Sequence, residues 1–367
     1  MPRTQRSQHR NPRSIASSPS KAVTMSANTS TANRSRDLVD SLGLTNPQLT
    51  EIYYKMLLSR TVSARMRLLQ RMGKGSITYS AEGHEAAQVG TAYVLRPGTD
   101  WLYTYYRDAG VAITIGMTPY DILMAFFARR DDPNSGGRNM PNHFSSKELR
   151  IVSQGAPVAT QVPQATGTAL ASKLRGLDEV SVAYFGDGAT SVGDVHESMN
   201  FAGIHDLPVV FVCEFNGYAI SVAWRNQAAI EDVAVRAKGY GFPGVTVDGN
   251  DVLAVYAAMK QAVERARKGD GPTFLEAKTY RTVAHSSDDD DRRYRTREEV
   301  EKWAKRDPVA AFAAQLDDIG VLEEPGRIDI EKRVDREVEE AIERAEAAPL
   351  PDPESALDHV LVEGKDS

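Results

Sequence analysis

Residues 180–218 read VSVAYFGDGATSVGDVHESMNFAGIHDLPVVFVCEFNGY and contain two apolar runs, at 180–185 and 208–213. Each run has the length and composition of a buried strand, and the segment between them, 193–204, is predicted to be a helix. Two strands joined through a helix form a parallel pair, so both strands end at the same edge of a sheet. The polar turns that follow the two strands are therefore expected to lie side by side.

The two turns carry side chains suited to a cation, with Asp187 after the first predicted strand and Asn216 after the second. A carboxylate and an amide oxygen can hold one magnesium ion, which takes its remaining ligands from phosphate and water. Gly186 and Gly188 allow the backbone to approach a diphosphate. A Gly-Asp-Gly triplet alone is also a common turn. The second polar turn, at the end of a neighbouring strand, favours a cation and diphosphate site over a plain turn.

Strands and helices alternate on both sides of this segment. Strands are predicted at 180–185, 208–213, 244–247 and 273–280, and helices at 160–175, 193–204, 230–240 and 251–268. Strands that alternate with helices form a parallel sheet that is covered on both faces. The chain is therefore predicted to be an α/β protein with a mostly parallel sheet and helices on both faces.

Helical patterns also flank this core. Further helices are predicted from Asn46 to just before Gly73, at 85–95, at 119–130 and at 329–347, and loops at 131–157 and 285–295. One α/β domain with helical extensions at both ends is therefore expected at 37–350. Residues 351–367 are expected to form a C-terminal tail.

Composition and charge narrow the class of protein. Apolar residues make up 41% of the 367 residues, and no run approaches the roughly 18 apolar residues of a membrane-spanning helix. Beyond residue 36 the chain has 37 basic and 50 acidic side chains, so neither nucleic acid nor a membrane is expected as a partner. Cys213 is the only cysteine. It excludes a disulfide framework, indicates a reducing compartment, and is expected to be a small buried residue.

Residues 1–36 hold seven basic residues and no acidic one, and they are rich in Ser, Thr and Asn. This composition predicts a disordered tail. It fits a mitochondrial transit peptide, which would place the protein in the matrix, or a dispensable tail on a cytoplasmic protein, since Met25 could also begin the chain. The second interpretation is preferred.

Three further segments carry residues suited to a diphosphate site. Arg107 could pin a diphosphate bidentately beside the ring of Tyr106, with a surface ion pair as the alternative. Residues 157–161 open a helix whose free amides favour anions, unless they form a plain capping segment. Arg281 ends the last predicted strand. His285 follows in the next loop, and its pKa range suits proton transfer near neutrality.

Other charged and imidazole side chains are weaker candidates. Runs of acids are usually solvated loops, and Asp289 to Asp291 are interpreted in that way. His84 and His143 lie in polar loops and rank below His285. The remaining histidines are expected to play no part in the site: His9, His196, His205 and His359.

Taken together, these segments resemble the alpha subunit of the thiamine-diphosphate-dependent decarboxylating component of 2-oxo acid dehydrogenase complexes, over roughly residues 45–350. The resemblance is carried by residues 106–108, 157–161, 186–218, 247–252 and 279–286. The run Arg138-Asn139-Met140-Pro141 with His143, and the spacing from His285 to Arg295, are most similar to the branched-chain type. The resemblance implies the thiamine-diphosphate-binding fold.

The resemblance also implies a site, residue by residue. Magnesium would be held by Asp187, Asn216 and the carbonyl of Tyr218. The cofactor would further contact Tyr106, Arg107, Val158, Gly188, Ala189, Arg281 and His285. Val158 would support the bent cofactor, and His285 would be the catalytic residue.

Some positions depart from the family pattern. The family motif closes with two asparagines, and Phe215 stands at the first of them. This puts hydrogen bonding around the metal in doubt more than metal binding itself. Thr160 and Gln161 match a potassium-binding turn of the branched-chain enzymes. That turn usually carries serine where this chain has Gly155 and Ala156, so potassium is doubtful.

The reaction and the partners follow from the same resemblance. It implies oxidative decarboxylation of a branched-chain 2-oxo acid, with thiamine diphosphate as electron sink and transfer of the acyl group to a lipoyl arm on an acyltransferase core. In two-chain members the glutamate that activates the cofactor lies on the beta subunit, so an alpha2-beta2 heterotetramer and an inactive lone chain are expected. The alternatives are a pyruvate or acetoin dehydrogenase alpha subunit and, because of Phe215, a non-catalytic partner subunit.

Overall fold

The computed structural model describes residues 31–358 and has a five-stranded parallel sheet at its centre. In chain order the strands are β1 Trp101–Tyr103, β2 Ser181–Gly186, β3 Val209–Phe215, β4 Tyr218–Ala219, β5 Val222–Ala223, β6 Gly244–Asp248 and β7 Thr273–Lys278. The order across the sheet is β1-β2-β3-β7-β6, and β4 and β5 form a separate antiparallel hairpin. The predicted α/β class with a mostly parallel sheet is confirmed.

The helices of the described residues surround this sheet. They are α1 Thr31–Leu42, α2 Asn46–Arg71, α3 Glu85–Ala92, α4 Ala109–Ile115, α5 Pro119–Phe126, α6 Gln161–Leu174, α7 Gly193–Ile204, α8 Arg236–Gly239, α9 Val252–Arg267, α10 Arg297–Ala304, α11 Pro308–Asp318 and α12 Glu324–Ala347. The start of α2 shows why local sequence predicts such boundaries. Thr45 and Gln48 cap each other's backbone N–H groups, and Pro47 fits the first turn.

Alternate residues of the strands face two different cores. Val182 and Tyr184 of β2 pack with residues of α2, α4 and α9. Ala183 and Phe185 point to the opposite face and pack with residues of α6 and α7. Because both faces are buried, the strands are continuously apolar instead of alternating with polar residues. The expected helices on both faces are therefore present.

Three neighbouring strands deliver polar turns to the same edge of the sheet. In the parallel register Gly186 of β2 pairs with Glu214 of β3, and Phe215 of β3 pairs with Lys278 of β7. The segments that follow, which begin at Asp187, Asn216 and residue 279, therefore leave the sheet side by side. This edge is where ligands bind in open α/β sheets.

The structure differs from the predicted helices and strands at places where tertiary contacts set the bounds of an element. The helix predicted at 230–240 is reduced to α8, preceded by one 3-10 turn at Val233–Val235. Strand β3 runs two residues further than predicted, because Glu214 and Phe215 continue the pairing with β7. The elements β1, α4, α10 and α11 have no counterpart among the predictions. Each of them except α11 is shorter than nine residues, which leaves little periodicity to detect.

Both ends of the expected domain extend further in the structure. Helix α1 begins at Thr31, so residues 31–36 of the expected basic tail are helical, and Val39 and Leu42 are buried against α2 and α11. In the expected C-terminal tail, Arg138 Nη2 donates to the carbonyl of Ser355 at 2.6 Å. Residues 1–30 and 359–367 lie outside the described residues. No helix of the described part is long and apolar enough to cross a membrane.

Candidate active site

A cavity of about 350 Å³ lies at the carboxyl edge of the sheet. Its walls come from segments that are distant in sequence, near residues 105–107, 154–161, 185–192, 216–220 and 281–285. Every residue predicted to bind cofactor or metal lines it: Tyr106, Arg107, Val158, Asp187, Gly188, Ala189, Asn216, Tyr218, Arg281 and His285. The fold therefore brings the predicted site residues together in one place.

Asp187 and Asn216 are in direct contact. The backbone N–H of Asn216 donates to Asp187 Oδ1 at 3.2 Å, and the side chain of Gln227 donates to Oδ2 at 3.3 Å. The oxygen Oδ1 of Asn216 accepts from the N–H of Tyr218 at 3.2 Å. Asp187 is fully buried, and burial raises the pKa of its carboxyl to about 6.

A buried carboxylate that receives only neutral donors is the kind of group that a bound cation stabilises. Among the described residues, no three His, Cys, Asp or Glu side chains come together as a metal-binding cluster. Magnesium does not need such a cluster, since it usually takes one or two carboxylates and completes its shell with phosphate and water. The oxygens of Asp187, Asn216 and Tyr218 therefore fit magnesium that binds together with a diphosphate.

Gly188 has a packing role in addition to the expected close approach to phosphate. Residues Asp187–Ser191 form one 3-10 turn directly after β2. A Cβ atom on Gly188 would lie 2.7 Å from the Cβ of Ala219, which belongs to the β4–β5 hairpin. The hairpin that carries Tyr218 can approach Asp187 in this way only because residue 188 has no side chain.

His84 contacts Asn216 behind the cavity wall, although the sequence ranked it as a weak candidate. It is fully buried just before α3, and its Nε2 lies 3.4 Å from the side-chain nitrogen of Asn216. Burial, together with the charges of Arg107 and Arg281, lowers the pKa of His84 well below its ordinary value. The neutral ring can then accept from Asn216 and orient its amide. No local pattern links the two residues, because 132 positions separate them.

Two buried arginines flank His285. Nη2 of Arg107 lies 3.5 Å and Nη1 of Arg281 lies 3.3 Å from His285 Nδ1. Guanidinium groups only donate, so Nδ1 accepts and the neutral ring carries its proton on Nε2. Burial and the two positive charges lower the pKa of His285 to about 3, and burial beside Arg107 lowers the pKa of Arg281 to about 10. Two guanidinium groups this close together suit an anion such as a diphosphate.

The loop that carries His285 is tied down by Asp289. One carboxylate oxygen of Asp289 accepts from the backbone N–H of His285 at 2.8 Å and from the hydroxyl of Tyr294 at 2.5 Å. The Tyr294 hydroxyl in turn accepts from Arg281 Nη2 at 2.8 Å. These bonds connect the loop to Arg281, which follows β7.

Arg295 holds the rest of this loop. Its guanidinium lies 2.6 Å from the carboxylate of Asp291 and 2.7 Å from the carbonyl of Val283, and it also donates to the carbonyl of Arg281. The interpretation of the acidic run as a solvated loop is therefore wrong for Asp289 and Asp291. A plain charge run conceals this role, because the partners of the acids are set by the folded loop.

Aromatic rings cover the other side of His285. The rings of Tyr79 and Tyr106 meet the imidazole edge-on at 5.7 and 5.9 Å and lie 4.5 Å from each other. The guanidinium of Arg107 lies 5.6 Å from the centre of the Tyr106 ring. The rings restrict the access of water, which contributes to the low pKa of the imidazole. Tyr79 was absent from the predicted site residues.

The turn before α6 supplies an apolar part of the wall. Val158 is half exposed and lines the cavity, and Ala159 has a φ of +73°, which non-glycine residues rarely adopt. Thr160 donates to a carbonyl of its own turn at 3.0 Å, and Gln161 donates to the carbonyl of Tyr184 at 2.8 Å. Both of these side chains therefore bind protein carbonyls in the structure.

Phe215, the departure from the family motif, contributes to packing. Its ring lies 5.2 Å from that of Trp224, and the ammonium of Lys278 lies 5.6 Å from its centre. Gln227 supplies a side-chain hydrogen bond to Asp187. The change at position 215 therefore leaves the contact between Asp187 and Asn216 in place.

A buried polar network, which the sequence did not reveal, lies behind the arginines. Gln88 Nε2 donates to the carbonyl of Arg107 at 3.0 Å and to Glu214 at 2.9 Å, and the Tyr105 hydroxyl also donates to Glu214 at 2.9 Å. Burial and the charge of Glu214 raise the pKa of Asp108 well above its usual range. The network ties the turn of Arg107 to the end of β3.

The other histidines of the described residues lie outside the cavity wall. His143 is buried, and its Nδ1 lies 3.0 Å from the carbonyl of Met140. His196 pairs with the hydroxyl of Tyr240 at 2.7 Å. His9 and His359 lie outside the described residues.

The chain belongs to the family of the dehydrogenase E1 component, whose model matches residues 53–354. Enzymes of this family depend on thiamine diphosphate. Membership among the alpha subunits of this family implies a complex with a beta subunit and an acyltransferase core. The cavity at the carboxyl edge of the sheet thus lies in an oxidoreductase of the thiamine-diphosphate-dependent class.

Several relatives carry more specific names. The 2-oxoisovalerate dehydrogenase subunit alpha of Bacillus subtilis is 49% identical over 320 residues, which cover 87% of this chain and 97% of the relative. The 3-methyl-2-oxobutanoate dehydrogenase subunit alpha of Mycobacterium tuberculosis is 42% identical over 270 residues, or 74% of this chain and 71% of the relative. The mitochondrial 2-oxoisovalerate dehydrogenase subunit alpha of Homo sapiens is 37% identical over 321 residues, which cover 87% of this chain and 72% of the relative.

Proposed function

We propose that the chain is the alpha subunit of a branched-chain 2-oxo acid dehydrogenase E1 component. It would take part in the oxidative decarboxylation of a branched-chain 2-oxo acid and in transfer of the acyl group to a lipoyl arm. The observation that carries this proposal is the convergence of Asp187, Asn216, Arg107, Arg281 and His285 on one cavity. The names of the relatives favour a branched-chain substrate over pyruvate or acetoin.

The cofactor would be held by two sets of residues. Asp187, Asn216 and the carbonyl of Tyr218 would bind magnesium, and Arg107 and Arg281 would bind the diphosphate. Tyr106, Gly188 and Ala189 would line the diphosphate, and Val158 would support the rings of the cofactor. Potassium is left out of the proposal, because Gly155 and Ala156 offer no hydroxyl at the turn of Thr160.

His285 is the proposed catalytic residue. Bound thiamine diphosphate supplies the carbon nucleophile and the electron sink for decarboxylation. His285 accepts from both arginines through Nδ1, which leaves Nε2–H as the donor toward charge that develops on the reacting oxygen. A diphosphate between the same arginines would offset their positive charge and raise the pKa of His285 toward its ordinary range.

The proposed assembly is an alpha2-beta2 heterotetramer that delivers acyl groups to a lipoyl-bearing acyltransferase. The non-catalytic alternative is disfavoured, since the packing of Phe215 leaves Asp187 and Asn216 in contact. A reducing compartment suits the single cysteine. We place the protein in the cytoplasm, or in the mitochondrial matrix if residues 1–36 are a transit peptide.

The test is a substrate panel on the chain reconstituted with its beta subunit, magnesium, thiamine diphosphate and a lipoylated acceptor. The panel contains 3-methyl-2-oxobutanoate, 4-methyl-2-oxopentanoate, pyruvate and acetoin, and acyl transfer to the acceptor is measured. The proposal expects the highest kcat/KM for the branched-chain acids, and no turnover by either subunit alone. A preference for pyruvate or acetoin would reject the substrate assignment, and absence of cofactor binding by the complex would support the non-catalytic alternative.

A further inference from the structure

We infer that Glu299 is a positioning residue for the cofactor site, because it joins the hairpin that carries Tyr218 to the segment after β7 that carries Arg281. The inference rests on the function proposed above, in which both segments bind the cofactor. Glu299 is in α10, is absent from the cavity wall, and lies outside the motifs that carry the family resemblance.

One carboxylate oxygen of Glu299 serves both segments. Oε1 accepts from the hydroxyl of Tyr218 at 2.7 Å and from the hydroxyl of Tyr280 at 2.9 Å. Both tyrosines are buried. Tyr218 offers its carbonyl as the proposed magnesium ligand, and Tyr280 directly precedes Arg281. A single acceptor therefore ties the segment that carries a proposed metal ligand to the segment that carries a proposed diphosphate ligand.

The start of α10 indicates that this orientation of Glu299 is specific. Thr296 and Glu299 have the spacing of a capping box, in which each side chain binds the backbone N–H of the other residue. Both reciprocal bonds form at the starts of α2 and α5. In α10 only Thr296 caps, by accepting from the N–H of Glu299 at 3.2 Å. The carboxylate of Glu299 binds the two tyrosines instead.

The rings around Glu299 are packed tightly enough to transmit its position. Tyr280 stacks on Trp303, which lies in α10 with Glu299. Their ring centres are 5.1 Å apart, and the angle between the ring planes is 3°. The guanidinium of Arg295 lies 5.2 Å from the centre of the Tyr280 ring. Tyr218 meets Tyr280 edge-on at 6.3 Å. Without Glu299, two buried hydroxyls would lose their acceptor, and the Tyr218 hairpin would lose its polar tie to this cluster.

The test compares three variants in the complete complex with its beta subunit. Affinity for thiamine diphosphate at saturating magnesium is measured by calorimetry, and Tm is measured without cofactor. Glu299→Ala should weaken affinity by about tenfold, the scale of an unsatisfied buried donor. Glu299→Gln keeps an acceptor oxygen and should stay within about threefold of wild type. Glu301→Ala, an exposed acid of the same helix, should change neither quantity.

A second pair of variants separates positioning from general stability. As a single variant, Tyr218→Phe should weaken cofactor affinity. In the double variant with Glu299→Ala it should add little further loss, because both changes remove the same hydrogen bond. Additive losses, or a loss of affinity matched by Glu301→Ala, would overturn the role of Glu299. If Glu299→Ala fails to fold, Tyr218→Phe tests the tie by itself, and unchanged affinity there would reject it.

Asp187→Ala serves as the reference for the proposed site. If Asp187→Ala loses cofactor binding and Glu299→Ala binds like wild type, the positioning role fails and the proposed function stands. If Asp187→Ala itself binds normally, the metal site is misassigned and the proposed function fails first.

Discussion

Asp187 and Asn216 sit on backbone that leaves two adjacent strands, and the register of β2 with β3 fixes their separation. His285 lies in a loop beyond β7, where Asp289, Tyr294 and Arg295 hold it through side-chain bonds. The first arrangement depends on the sheet, which is buried on both faces. The second depends on side-chain hydrogen bonds within and around one loop.

This difference separates two kinds of effect. The strand ends carry the proposed metal ligands, so changes there should act on cofactor affinity. The loop carries the proposed proton donor, so changes there should act on turnover. Mutations in the two regions therefore provide a direct test of whether binding and catalysis are divided between sheet and loop.

The largest effect is expected at the strand ends. Asp187→Ala should abolish magnesium-dependent binding of thiamine diphosphate, because it removes the only full negative charge among the proposed metal ligands. Calorimetry on the reconstituted complex measures this, with Asp194→Ala in the following helix as a control. Near-normal affinity in Asp187→Ala would break the assignment of this region to the metal.

The corresponding change in the loop is His285→Ala. Turnover should fall by ~10²–10⁴-fold, the usual cost of losing a positioned proton donor, while cofactor affinity stays close to wild type. Both quantities are measured side by side with the lipoyl partner present, and His205→Ala is a control outside the cavity. Unchanged turnover would make His285 a bystander, and a lost affinity would mean that the loop also binds the cofactor.

Asn216→Ala sharpens the comparison within the strand-end region. It removes one neutral ligand that water can replace, together with the contact to His84, so binding should weaken by roughly 1–3 kcal/mol. The measurement is again the cofactor dissociation constant. If Asn216→Ala lost cofactor binding as completely as Asp187→Ala, the amide would have to orient the whole turn in addition to serving as one metal ligand.

Phe215→Asn tests the position that departs from the family. The ring packs on Trp224, so its loss should cost about 1–2 kcal/mol of folding free energy, less than for a fully buried aromatic residue. Cofactor affinity should change little, since Gln227 continues to donate to Asp187. Urea unfolding and calorimetry are compared, with Phe215→Leu as the apolar control. A complete loss of folding would place the ring in the essential core.

The smallest effect is expected from removal of residues 1–30. They hold few apolar side chains that could add to the buried core, so Tm and reconstituted turnover should equal those of the full chain. Removal of residues 1–36 should lower Tm, because it cuts into α1 and deletes Ser35, which accepts from Gln315. A marked loss in the shorter truncation would mean that residues 1–30 dock on the body or on the beta subunit.

Much of the strand-end region was predictable because its signals are local. Asp187 and Asn216 each follow an apolar run within a few residues, and parallel strands must end at one edge. The supports of these residues were not predictable, since His84 and Gln88 reach the site from α3 and its preceding turn. The loop shows the reverse case. His285 stood out by residue type, but Asp289 and Asp291 looked like a solvated run.

The sequence by itself determined the α/β class and the edge of the sheet that holds the site, and its resemblance to the family indicated part of the residues that line the cavity. These features depend on hydrophobic periodicity and on short motifs, which act within one strand and the turn after it. Only the tertiary structure decided the low pKa of His285, the raised pKa of Asp108 and the shared acceptor at Glu299. Burial and charge proximity depend on distances between segments far apart in the chain, and the order of residues alone does not contain those distances.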